Sequence, residues 1–141
     1  RDQPRSRGLG DVYKRQVLIF ELLNCMKEQG LDYTNTFCFL MSQEIDNKKD
    51  YLNDKFNNWK MKWQKRLTKD SEKLMKHNNP KIIPRNHNVE SVLKSAEDND
   101  LSPFNDLLKA LKNPYTDLKV LTKYQSPPPK SDEKYQTFCG T

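Results

Sequence analysis

Glycine is scarce in this chain. Beyond residue 16 only Gly30 and Gly140 occur, too few for a loop that cradles phosphate. The same stretch offers no nucleophile and base in a catalytic arrangement. No window holds the roughly 18 or more consecutive apolar residues that a bilayer span requires. The longest apolar cluster, Val17 to Leu23, is interrupted by Glu21 and lacks the organisation of a signal peptide. A soluble protein is therefore expected. Cysteine is sparse too: Cys25, Cys38 and Cys139 show no CxxC spacing, which argues for a reducing compartment rather than a disulfide framework. His77 and His87 lie far from all three cysteines, so no zinc pattern exists and no metal site is expected here. No stretch alternates apolar and polar residues long enough to read as a strand.

What is present is polar. Hydrophobic residues make up 34% of the 141 and charged residues 31%, a wet composition for a self-sufficient globule. The length suits one domain with one core, and the polarity suits a piece that packs on a larger body. The net charge of +6 would suggest nucleic acid, but half of it sits in residues 1–16. That leader holds four of the six arginines, whereas the remainder has Arg66 and Arg85 beside 18 lysines. An Asn- and Lys-rich, Arg-poor remainder suggests an AT-rich genome, and the leader is composed differently. Its end, Asp11-Val12-Tyr13-Lys14-Arg15-Gln16, resembles translated sequencing adapter. Residues 1–16 are accordingly set apart as an adapter-derived or disordered leader, residues 17–115 as a helical region, and 116–141 as an extended tail.

The helical region is read from spacing. Val17 to Gln29 forms a first helix, apolar nearly all round at its start and stopped by Gly30. Asp32 caps a second through Thr34, Phe37, Phe39, Leu40 and Met41. The longest helix is placed at Lys49 to Lys69, with Leu52, Phe56, Trp59, Trp63 and Leu67 on one face. A short helix follows over Ser71 to His77, ended by Asn79-Pro80. Asn86 or Asn88 caps the next, with Val89, Val92, Leu93 and Ala96 inward. Ser102 as N-cap and Pro103 at N1 open a last helix carrying Phe104, Leu107, Leu108 and Leu111, closed by Asn113-Pro114. Pro127-Pro128-Pro129 marks the extended tail. The fold class predicted is all-α.

Three features invite a functional reading. Trp59 and Trp63 interleave with Lys60, Lys62, Lys65, Arg66 and Lys69, a pattern that can stack and neutralise single-stranded nucleic acid; helical spacing favours core tryptophans and a solvated basic face. Arg85 could grip a phosphate or carboxylate, although between two helix ends it more often pairs locally or covers carbonyls. Cys139, near the chain's end, could form a reversible disulfide or be oxidised.

Five blocks in order resemble the C-terminal region of the selenoprotein O family, called YdiU in bacteria. They are Leu31-Asp32-Tyr33-Thr34-Asn35-Thr36-Phe37, the Trp59 to Leu67 helix, and Asn79-Pro80-Lys81-Ile82-Ile83-Pro84-Arg85-Asn86. Leu107 to Tyr115 and the Pro127-Pro128-Pro129 tail ending in cysteine plus two residues complete the series. Pro84 and His87 depart from the family's usual Leu and aromatic. The resemblance implies a kinase-like fold that binds ATP with Mg2+ or Mn2+ and transfers AMP to Ser, Thr or Tyr hydroxyls of proteins. It implies a bacterial cytoplasmic protein whose partners are its protein substrates and the kinase-like N-terminal part of the same chain, not a membrane. The ATP-contacting and metal-binding residues of the family map to no position here, so no catalytic, cofactor-binding or metal-binding residue is assigned. Only Cys139 maps, as the tail residue of a redox disulfide, with Cys25 and Cys38 as imperfect partners. The alternative is a free-standing basic helical module that binds nucleic acid or a protein.

Overall fold

A computed structural model describes residues 5–42, 51, 53–116 and 119–128. Among them no strand occurs, as the absence of alternation predicts. The elements are α1 (Arg5–Gln29), α2 (Tyr33–Ser42), α3 (Asp54–Gln64), α4 (Ser71–Asn78), α5 (Asn86–Glu97), α6 (Ser102–Leu111) and a 3-10 helix, Lys119–Tyr124. The chain divides into two compact units, Arg1–Lys76 and His77–Thr141, so the single core expected from length is replaced by two smaller ones.

The first unit is built on α1 against α3. Leu22, Cys25 and Met26 of α1 meet Phe39 and Leu40 of α2, Tyr51, and Phe56 and Trp59 of α3. The rings interlock: Phe56 lies 5.2 Å from Tyr51, 5.7 Å from Trp59 and 5.9 Å from Phe39. Each such fully buried side chain contributes on the order of 1.5–3 kcal/mol. Polar groups in this core are satisfied. Thr36 Oγ1 donates to the Asp32 carbonyl at 2.7 Å, which leaves the Tyr51 hydroxyl, 3.2 Å away, to donate to Thr36.

Helix ends follow local chemistry. Gly30 sits at φ +62°, and the Gly30 and Leu31 amides donate back to the Lys27 and Met26 carbonyls, a Schellman motif. Asp32 caps α2 as expected, accepting from the Asn35 amide at 2.8 Å. The α3 expectation needs correcting. Asn53 caps it by accepting from the Phe56 amide, and it ends at Gln64 rather than Lys69. Leu67 therefore lies past the helix and exposed, α1 is the longest helix, and of the start expected from Lys49 to Leu52 only Tyr51 is among the described residues.

The second unit gathers Ile82, Val92, Leu107, Ala110 and Tyr124. The Lys81 amide donates to the Pro114 carbonyl at 2.7 Å, tying the start of the unit to the end of α6. Capping differs from expectation by a residue. Arg85, not Asn86 or Asn88, is the N-cap of α5, and Asn88 instead donates its side chain to the Tyr124 carbonyl at 3.4 Å. Leu101 rather than Ser102 is the N-cap of α6, while Asp100 accepts from the Ser102 amide at 3.0 Å. A second Schellman turn ends α5, this time with Asn99 at φ 63°. Leu93 is exposed, not inward, and of the side carrying Phe104, Leu107, Leu108 and Leu111 only Leu107 is buried, because the small core is filled without Leu93, Phe104 and Leu108. The stretch past Asn113-Pro114 first makes the 3-10 helix, whose Tyr124 is buried; Pro129 and beyond lie outside the described residues.

Candidate functional site

The two tryptophans are core residues. Trp59 is buried and its indole Nε1 donates to the Leu18 carbonyl at 2.8 Å. Trp63 stacks on it at 6.0 Å and is half-buried. Lys60, Lys62 and Arg66 beside them are engaged within the unit. Lys62 pairs with both Glu21 oxygens at 2.9 and 3.0 Å, and the Lys60 ammonium lies 5.0 Å from the Phe39 ring centre. A nucleic-acid stacking surface needs open rings, and these rings face inward.

Arg85 is buried in the second unit at the entry to α5. Burial, and then the Arg85 charge, pushes the neighbouring His87 below its ordinary 6.5.

Cys139 lies outside the described residues. Cys25 and Cys38 are free and buried. Burial pushes the Cys25 thiol up, which keeps it a protonated core thiol, and Gln29 Nε2 donates to its sulfur at 3.3 Å.

One feature escaped the sequence reading because it lies in the leader. Asp11 accepts from Arg15 at 2.5 and 2.9 Å and from Arg66 at 2.7 Å. The Arg66 bond first, then the Arg15 bond, holds its carboxyl below the usual range. The i,i+4 spacing of Asp11 and Arg15 was the available signal. Beside this cluster is an open cavity of about 380 Å³ lined by Tyr13, Val17, Leu18, Glu21, Lys62 and Arg66. Its walls mix apolar surface with paired charges and present no triad for catalysis.

Among the described residues no three His, Cys, Asp or Glu side chains are placed to hold a metal ion. Those described side chains therefore offer no donor set for a divalent cation. Among the same residues no helix is long and apolar enough to cross a membrane.

An all-helical portion is thus the class of structure present among the described residues. The family described as protein adenylyltransferase SelO matches residues 7–112, and the chain belongs to that family. The chain is 54% identical over 138 residues to the protein nucleotidyltransferase YdiU of Pelagibacter ubique (strain HTCC1062), covering 94% of this chain and 29% of that protein. It is 44% identical over 132 residues to the protein of the same name from Clostridium perfringens (strain 13), covering 89% and 27%. With that from Alcanivorax borkumensis the identity is 39% over 139 residues, covering 94% and 29%. The chain therefore spans less than a third of the length of these bacterial relatives. No solved structure matches it.

Proposed function

We propose that this chain is the C-terminal helical part of a protein adenylyltransferase, a bacterial cytoplasmic enzyme that moves AMP from ATP to protein hydroxyls. In that reaction a Ser, Thr or Tyr oxygen bonds to the α-phosphorus and pyrophosphate leaves. The observation that carries the reading is the family match over residues 7–112 on a chain covering 29% of its relative. The nucleotide, Mg2+ or Mn2+, and the catalytic groups belong to the rest of the parent. The residues described here supply a helical scaffold.

The test compares the full-length parent with the 141-residue chain, each given α-labelled ATP, Mg2+ and a protein acceptor. Label appears on protein with the parent and not with the chain. Transfer by the chain alone would overturn the division of labour, and no transfer by the parent would overturn the activity. The tail Cys139 is the residue proposed for a reversible disulfide. The burial of Cys25 and Cys38 supports a partner elsewhere in the parent. Cys139→Ser should abolish any dependence of the parent's AMP transfer on dithiothreitol; an unchanged response would remove the role.

A further inference from the structure

The first helix is apolar on two sides, and only one side is covered by its own unit. Leu22, Cys25 and Met26 face the core. Flanking that face, Val12, Ile19 and Leu23 recur at spacings that stack them along one stripe, and Tyr13 and Phe20 lie on the side opposite the core. Ile19 is 57% exposed and Phe20 64%, values that large apolar side chains on a monomer's surface reach singly rather than in a row. Gln16 and Lys27 are polar interruptions of the stripe. Helices with apolar residues on both sides belong to positions covered on both. The α6 helix also exposes Phe104 and Leu108, but its row is short.

We infer that the Val12–Ile19–Phe20–Leu23 stripe of α1 is the seat on which the remaining polypeptide of the parent packs. This rests on the reading of the chain as part of a longer protein. The relatives supply the occupant: roughly seven tenths of their length lies outside the matched portion. A covalently attached partner meets the stripe at an effective concentration on the order of millimolar, which no free protein matches. Its contacting surface is apolar, with Ile19 and Phe20 as anchors, and carries a carboxylate or carbonyl opposite Lys27.

The experiment places a thiol on the stripe and reads its alkylation by peptide mass mapping. F20C and I19C are compared with K73C, at an exposed polar site of α4, in the isolated chain and in the full-length parent. Native Cys25 and Cys38 are buried and stay silent. In the isolated chain all three introduced thiols react at similar rates. In the parent, F20C and I19C react at least roughly tenfold more slowly, as for groups reached only by local opening, while K73C is unchanged. Equal reaction of F20C and I19C in both proteins overturns the inference. Slow reaction already in the dilute isolated chain places the cover within this chain, and slowing that grows with its concentration makes the occupant a second copy; either result overturns it. AMP transfer is assayed on the same parent sample. Protection without transfer defeats only the functional reading, and transfer without protection defeats only this one.

Discussion

Asn53 joins two helices through one side-chain amide, and removing it should cost more than a surface cap. Its Oδ1 accepts from the Phe56 amide at 2.9 Å and from Gln29 Nε2 at 2.9 Å, and its Nδ2 donates to Gln29 Oε1 at 2.6 Å. The first bond is the N-cap of α3, worth about 1 kcal/mol. The two amide–amide bonds contribute about 1 kcal/mol each net of water. Gln29 is only half-buried, so its orphaned amide reaches solvent and adds little further cost. Asn53→Ala should therefore destabilise the first unit by about 2–3 kcal/mol. Asn53→Asp keeps the acceptor and adds a charge at a helix N-terminus, a gain of about 0.3–1 kcal/mol, while losing one donor worth about 1 kcal/mol. It should lie within about 1 kcal/mol of the parent sequence. Urea titration read by the emission of Trp59 and Trp63, both on α3, measures the loss. A double-mutant cycle with Gln29→Ala should return a coupling of about 1 kcal/mol or more. The reasoning fails if Asn53→Ala costs under about 0.5 kcal/mol, or if Ala and Asp cost the same.

The same titration applies to Phe56→Ala, expected to lose about 3–5 kcal/mol because the ring is fully buried among three others. Phe20→Ala in the isolated chain should stay within about 0.5 kcal/mol, and parity between the two would contradict their burial. Gly30→Ala meets no neighbouring atom within 4 Å, so its cost of about 1–2 kcal/mol comes from left-handed backbone alone. The folded state depresses the His87 pKa, so its contribution is fully present above 6.5 and is lost as pH falls through 6.5 toward the lowered value. A circular-dichroism stability profile of the second unit should show that slope, and His87→Gln should flatten it; an identical slope in the variant refutes the assignment.

Helix type and several ends were legible because they depend on neighbours in sequence. Asp32 before Tyr33 and Gly30 after Gln29 act within four residues, and both behave as read. The Leu52 to Leu67 ladder misled because periodicity says which side is apolar, not whether a core awaits it. Leu67 continues the pattern after the backbone has turned out of α3. Leu93 fails for the same reason. Tyr124 in the second core was invisible, since its partners Ile82 and Val92 lie far back in the chain. Asp11 bonded to Arg66 was missed because composition and an adapter-like run had set its segment aside. The family resemblance was legible in ordered blocks, and the catalytic residues that the resemblance implies map to no position among them.

The turn at Gly30 also makes a statement about handedness. What the site excludes is not a side chain, since a Cβ there touches nothing, but an L-configured one at positive φ. A residue of opposite chirality has its natural basin at that angle. D-alanine introduced at position 30 by semisynthesis would fit without strain and would restrict the unfolded chain, stabilising the first unit by about 0.4–1 kcal/mol. Glycine here serves as the nearest available substitute for a mirror-image amino acid.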